Sequence, residues 1–349
     1  AEKMAGSSVK DTIIILSGGE QSSKTVSSCI EIGGREVEER DVKKVINQCI
    51  SSSILNGRYI LHAIPNKFKI DNSSSIKNPL GMIANKLTVS VNICSIRDTA
   101  LSNIAKVIER NHLNVIRFVS SALAIGSGVL MQEERDLGSI IIDLGSSNTT
   151  VGIFSDNSMV YSFDIPLGGK HISRDIANGL ATTLIDAERI KALHGNLINS
   201  EYDYTETISI PLVGGNSSTS FQNIPLGLLN DIIKARFCEI FELIQNHLSN
   251  TPFYHIAMSK TVLTGGGSNI TGLTELASDY LSKHIRVGGP NRINGLPDAA
   301  FNAYFSSVVG LFFIETNEKD SLLKVSSDNH SVQNLSSINR FYQWLTANL

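Results

Sequence analysis

Three short segments carry residue types suited to holding a phosphorylated ligand. The first is Ile140-Ile141-Ile142-Asp143-Leu144-Gly145-Ser146-Ser147-Asn148-Thr149-Thr150-Val151. An apolar run ends in a carboxylate, turns through small residues and resumes as a second strand. Backbone N–H groups in such a turn form an anion-binding concavity. The carboxylate of Asp143 can order a water on Mg²⁺, which keeps most of its own waters and takes one or two carboxylates. A plain hairpin with a polar tip has the same local pattern. The second segment is Val262-Leu263-Thr264-Gly265-Gly266-Gly267-Ser268-Asn269-Ile270-Thr271-Gly272-Leu273. Its glycines let backbone approach a ligand closely, and the helix that follows offers it an N-terminus; many Gly-rich turns do neither. In the third, Asp186-Ala187-Glu188-Arg189-Ile190-Lys191, Glu188 and Lys191 share one helix face. They are a solvated ion pair or a joint grip on a ribose.

These residues need a scaffold, and the chain is long enough to build one. Its 349 residues are 42% hydrophobic and 18% charged, which allows a large core and about two domains. A net charge of -3 argues against a nucleic-acid partner, which calls for a basic excess or stripe. The four cysteines, Cys29, Cys49, Cys94 and Cys238, form no C-x-x-C pair and read as buried thiols of a reducing cytosol. No apolar run approaches the ~20 residues of a membrane span.

The elements follow from periodicity. Thr12–Leu16 reads as a buried strand, Glu39–Ile54 as a helix with Val42, Val45, Ile46, Cys49 and Ile50 on one face, and Tyr59–Ile64 and Leu87–Ile93 as strands. Two or three strands on one helix make a small α+β unit. Beyond Arg97 come an amphipathic helix, a strand at Val115–Val119, and a helix rich in Ala, Ser and Gly. Ser139–Phe163 reads as three strands, Thr183–His194 as a helix closed by Gly195 at its C-terminal cap, and Leu228–Leu248 as a long helix. The sum is an α/β fold whose ligand contacts come from strand-ending loops.

Together and in this order, the three segments resemble the second half of the actin and DnaK-type ATPase arrangement. Within that superfamily the similarity is to the bacterial division protein family FtsA. It is carried by Asp175-Ile176-Ala177, Asp186–Lys191 with His194-Gly195, Leu263–Gly267, Leu61-His62 with Ile64-Pro65, and Gly295-Leu296 with Tyr304-Phe305-Ser306 and Val309-Gly310-Leu311. Ile76-Lys77-Asn78-Pro79-Leu80-Gly81-Met82 falls in a subdomain peculiar to the family. The resemblance implies an actin-like (ribonuclease H-like) two-lobed α/β fold with an FtsA-type inserted subdomain, N-terminally incomplete because the family's first phosphate loop has no counterpart. The implied division is 1–10 as a remnant of the first lobe, 11–96 as the inserted subdomain 1C, 97–137 as the rest of 1A, 138–185 with 252–315 as 2A, 186–251 as 2B, 316–334 as a linker and 335–349 as a membrane helix.

By the same resemblance, Asp143, Gly145, Ser146 and Ser147 form the second phosphate turn with Asp143 near Mg²⁺, Gly265, Gly266 and Gly267 pass beside ATP, and Glu188 and Lys191 hold its ribose and adenine. The family turn usually reads D-I-G-G-G-T-T-D. Here serines stand for two glycines, Asn148 replaces a hydroxyl and Thr150 sits where an acid is usual. ATP and Mg²⁺ binding in the complete protein, without significant turnover, is the expectation. Partners implied are the FtsZ tail, on Lys234, Arg236 and Glu239, further copies of the chain, later division proteins and the cytoplasmic face of the inner membrane at the division site. A sugar kinase or a pilus-assembly relative is the alternative. A kinase needs a base in its cleft, and no acid with a supporting motif stands out.

At the C-terminus, Ile338, Phe341, Tyr342, Leu345 and Leu349 recur at helical spacing behind Ser336-Ser337, with Trp344 at the edge of the stripe. A polar stretch separates them from any core. The reading is an amphipathic membrane-targeting helix, bound by apolar burial since Arg340 is its one basic residue. So weak an attachment calls for several copies side by side.

Overall fold

The run Ile140-Ile141-Ile142 forms the middle of the largest sheet. In a computed structural model, which describes residues 2–53, 56–71, 73, 76–198, 200–212, 221–282 and 284–318, β6 (Ser139–Leu144) pairs in parallel with β11 (Thr261–Thr264) and antiparallel with β7 (Thr149–Ser155). With β12 (Ile285–Val287) and β8 (Ser158–Ile165) at the edges, the order is β12-β11-β6-β7-β8. Side chains alternate along a strand, so Ile140, Ile142 and Leu144 enter one core and Ile141 another.

The first core lies under α6 (Gly169–Gly179), α7 (Leu184–His194), α8 (Leu226–Ser249), α9 (Tyr254–Ala257) and α10 (Leu273–Ser278). Through α8, Leu229, Ile233, Phe237, Ile240, Phe241, Ile244 and Leu248 are buried at helical spacing, as the periodicity predicts. The hairpin β9 (Thr207–Pro211) and β10 (Phe221–Pro225) adds Ile210 and Ile224. Gly195 caps α7 in an extended conformation, φ −62°, ψ 125°, and a Cβ there would meet the Lys191 carbonyl at 2.4 Å.

The opposite face is covered by α4 (Ser121–Val129), through Ala122, Ile125 and Val129. α5 (Gln132–Leu137) follows it, and α11 (Ser306–Glu318) crosses it. At that crossing a Cβ on Gly310 would stand 1.9 Å from the Ala124 carbonyl oxygen, so the two backbones touch. The helix α11 takes in 316–318, the first residues of the span read as a linker. The rest of that span and the membrane helix, with Ile338, Phe341, Tyr342, Trp344, Leu345 and Leu349, lie outside the described residues.

The small α+β unit is a three-stranded antiparallel sheet, β2 (Ser22–Glu36), β4 (Ile83–Arg97) and β3 (Arg58–Ile70) in that order, with α2 (Glu39–Ser52) on one face. Val42, Val45, Ile46, Cys49 and Ile50 of α2 bury against Leu87, Val89 and Val91 of β4. The long polar strand β2 supplies the third strand, which apolar alternation did not reveal. The strand at Thr12–Leu16 also forms, as β1 (Asp11–Leu16). It follows the short α1 (Glu2–Ala5) and pairs in parallel with β5 (Asn114–Ser120), beyond α3 (Asp98–Arg110), and not with the three-stranded sheet. Of the thiols, Cys49 and Cys94 are buried as read, whereas Cys29 is exposed and Cys238 half-buried.

Polar contacts seat the small unit on the main sheet and on β5. Asn92 donates to the Met159 carbonyl at 3.0 Å and accepts from the Ser23 hydroxyl at 2.6 Å. His62, driven down to about 4 by burial and then by Arg117, accepts the Ser120 N–H at 2.9 Å. Lys67 pairs with Asp156 at 3.1 Å.

The helix crossing makes a direct prediction. Overpacking a tight core costs about 1–3 kcal/mol or more, and Gly310→Ala has backbone on the far side. Urea unfolding should show a loss of about 3 kcal/mol with an unchanged m-value, while Gly57→Ala, whose Cβ meets nothing within 4 Å, loses at most the strain of its positive φ.

Candidate functional site

The end of β6 gathers the distant glycine segments. After Asp143 and Leu144 the chain turns through Gly145, Ser146, Ser147 and Asn148. Two carbonyls of this turn are held from α6: Gly169 N–H donates to Gly145 O at 2.9 Å and Lys170 N–H to Ser146 O at 2.8 Å. Thr149 adds a hydroxyl bond to the Leu167 carbonyl at 2.9 Å. Contact is so close that a Cβ on Gly168 would lie 2.5 Å from Gly145 O. With its carbonyls engaged, the turn presents amides. The N–H groups of Gly145, Ser146 and Ser147 meet no acceptor among the described residues.

The second glycine segment packs against the same point. Thr264 of β11 lies beside Asp143. Gly265 then takes φ +85°, and a Cβ on it would fall 2.0 Å from Asp143 Oδ1 and 2.9 Å from Leu144 O. Only glycine tolerates that conformation and that approach. Gly267 would meet Leu144 Cβ at 2.9 Å, and Gly266 faces the Tyr304 ring. The glycine cradle and the unclaimed amides fit a phosphate group; the Asp143 carboxylate, without a hydrogen-bond partner among the described residues, fits the hydrated cation that accompanies one.

Asp143 has a second carboxylate for a neighbour. Burial, and then the charge of Asp164 on β8, push it up to about 6. Asp164 is also raised by burial, against hydrogen bonds from Thr150 at 2.7 Å and Gly18 N–H at 3.1 Å.

Glu188 and Lys191 form the ion pair that their spacing allows, and more. Lys191 Nζ reaches both Glu188 oxygens at 3.0 Å, Ser173 Oγ at 2.8 Å and the Gly169 carbonyl at 3.0 Å. Ser173 also donates to Glu188. Both residues therefore sit beside the turn, joined through Gly169, with the Lys191 side chain 15% exposed and Glu188 58%.

Lys234, Arg236 and Glu239 lie elsewhere, on α8, where Lys234 projects from nearly the opposite side of the helix to Arg236. Arg236 is a bidentate partner of Asp175 on α6, at 2.6 and 2.8 Å, and also bonds Glu239. Lys234 is exposed. Ile232 and Ala235 complete an open groove with Asp175, Arg236 and Glu239, and Lys234 is not part of its lining. Sequence reasoning missed Gly168, Gly169, Ser173 and Asp164. The pair Gly168-Gly169 behind Pro166 was a readable helix-start signal; for Asp164 no local signal exists.

The architecture defines the class: this is an actin-like fold carrying an inserted α+β subdomain. Solved structures share it. The PilM–PilN type IV pilus biogenesis complex matches with a TM-score of 0.57 at 14% identity, covering 90% of this chain and 82% of that one. MreB5 of Spiroplasma citri bound to ADP matches at 0.51 and 18% identity, over 64% and 67%. Sequence narrows the class. Residues 140–310 match the family model for cell division protein FtsA, and residues 18–95 that of the SHS2 domain inserted in FtsA. Cell division protein FtsA of Rhizobium meliloti is 36% identical over 311 residues, 89% of this chain and 70% of that protein. That of Escherichia coli K12 is 30% identical over 318 residues, 89% and 75%. The chain belongs to the FtsA family and is a cell-division protein of that type.

The carboxylate geometry sets a pH dependence. A carboxyl raised from 3.8 to about 6 on folding keeps its proton longer in the folded chain. Its stabilising contribution is complete below pH ~4 and lost by about pH 6, a difference of up to about 3 kcal/mol. Wild-type stability should fall relative to Asp143→Asn across that window and stay level above it, measured by denaturant unfolding from pH 4 to 8.

Proposed function

We propose that this chain binds ATP with its phosphates on the Gly145–Asn148 turn, and that it links the acidic tail of FtsZ to the cytoplasmic face of the membrane. The observation that carries the nucleotide reading is Gly265, folded at φ +85° onto Asp143 beside amides that have no acceptor among the described residues. The fold relative MreB5 bound to ADP adds support. Gly265, Gly266 and Gly267 line the phosphates, and Asp143 faces the Mg²⁺ that the nucleotide brings. Glu188 and Lys191 reach the sugar and base from α7. The cation supplies charge neutralisation of the phosphates; the chain's residues orient and shield.

The tether reading rests on two surfaces. Lys234 and the Arg236–Glu239 groove offer an acidic peptide both charge and an apolar floor. The C-terminal stripe from Ile338 to Leu349 offers lipid an apolar face without strong anionic attraction. Lateral association of copies on the membrane raises the avidity of each, and an assembled layer presents a platform to later division proteins. The proposed organisation is 1C for the three-stranded unit, 1A for 97–137 joined by β1 (Asp11–Leu16), which pairs with β5 and not with that unit, 2A for 138–185 with 252–315, and 2B for 186–251, with the site between the last two.

Nucleotide binding is read by titrating a fluorescent ATP analogue. Wild type should saturate, and Gly265→Ala should weaken binding about tenfold or more, since its Cβ displaces Asp143. A wild-type chain that gives no signal removes the nucleotide reading. The tether is read by vesicle co-sedimentation with a labelled FtsZ tail peptide. The full chain should pellet with peptide, a chain ending at Leu335 should stay in solution, and K234E/R236E should pellet without peptide. Lys234→Glu alone, which leaves Arg236 on Asp175, should give an intermediate loss; undiminished peptide in both variants would exclude this surface.

A further inference from the structure

The strand registers place three polar residues in one row. Asp143 on β6 lies opposite Thr150 on β7, and Thr150 lies opposite Asp164 on β8. Residues directly opposed across strands share a face, so all three point toward the first turn of α4. Ser121 Oγ of that helix is 3.3 Å from Thr150 Oγ1. Two strand spacings separate the aspartates, about 10 Å between backbones, with the hydroxyl of Thr150 between.

Asp164 is aimed, not idle. Thr150 donates to Oδ1 at 2.7 Å and Gly18 N–H to Oδ2 at 3.1 Å. Each oxygen keeps lone-pair capacity beyond its one bond. No Lys, Arg or His forms an ion pair with it among the described residues. A largely buried carboxylate without a cation is expensive, and the same row holds Asp143, which has no hydrogen-bond partner there at all. Two hydrogen bonds fix one acid beside a second that is left open. This is the arrangement expected where a hydrated cation completes the set.

The chain departs from the family turn at Thr150, which stands where an acid is usual. We propose that Asp164 supplies that carboxylate from the neighbouring strand, as a positioning residue for the water shell of the divalent cation carried by a nucleoside triphosphate. Thr150, between the two acids, is the donor that orients Asp164. This rests on the nucleotide reading given above. Contact through water suits the distance, because Mg²⁺ sheds its waters reluctantly.

The test compares affinities for ATP in Mg²⁺ and for ATP in EDTA, using the full chain. Wild type should bind the Mg²⁺ complex more tightly. Asp164→Asn keeps the shape and one acceptor of the side chain. It should cut the ratio of the two affinities by about tenfold while metal-free ATP binds as well or better, since a negative charge opposing the phosphates is gone. The exchange variant T150D/D164T, which returns the acid to β7, should restore the ratio. A role confined to anchoring the Gly18 loop would weaken both forms equally, and that result overturns the proposal, as does an unchanged ratio. If wild type binds neither form, the nucleotide reading falls and this inference with it; if it binds both and only the ratio is insensitive to Asp164, the nucleotide reading stands alone.

Discussion

One strand, buried on both faces and ending in a carboxylate, sets the terms for the rest. Ile140, Ile141 and Ile142 are committed to two different cores, so β6 can neither shift register nor retreat without exposing apolar surface. Asp143 must therefore sit where the sheet leaves it, poorly hydrated and beside Asp164. What surrounds it follows from lack of room. Gly265 is glycine because a side chain would occupy the carboxylate's own position, and Gly168 because the turn carbonyl lies against it. Once those carbonyls accept bonds from α6, the amides are what the turn has left to offer.

Helix α6 joins the two proposed sites. Its first residues grip the phosphate turn, Ser173 lies one turn on in the Lys191–Glu188 network, and Asp175 on its outer side holds Arg236 of α8. About two turns of one helix thus connect the turn to the groove of the proposed peptide site. The Arg236–Asp175 pair also changes how that groove presents itself. Most of the charge of Arg236 is answered within the chain by Asp175 and Glu239, so the groove lining itself carries little unanswered positive charge.

Much of this was legible. Apolar runs ending in small residues located β6, β7 and β11, and helical spacing located α2, α7 and α8, because each pattern reports a local burial constraint. The candidate site could be put together from Asp143, the Gly265–Gly267 run and the Glu188–Lys191 spacing. What escaped depends on partners far along the chain. Asp164 acquires meaning only when β8 pairs with β7, and Arg236 only when α8 meets Asp175, 61 residues away. The strand β2 was hidden for a different reason. On the face that carries Ile30 and Ile32 the earlier positions are Ser22, Lys24, Val26 and Ser28, so the apolar alternation that marks a half-buried strand is weak until Ile30.

The pairing of β1 with β5 governs the order in which the chain can assemble. Asp11 meets Asn114 across 103 residues of sequence, and most of the span between them is the inserted unit. A chain emerging from the ribosome completes β2, α2, β3 and β4 before β5 exists, so that unit collapses on its own local contacts while β1 waits without its partner. Its collapse brings the two ends of the long loop together and lowers the entropy lost when they finally pair. The insertion is in this sense an internal assembly aid. Weakening its core should slow closure of the β1–β5 pair far more than it disturbs the five-stranded sheet, and would leave a parallel edge open during the interval when nascent chains aggregate most readily.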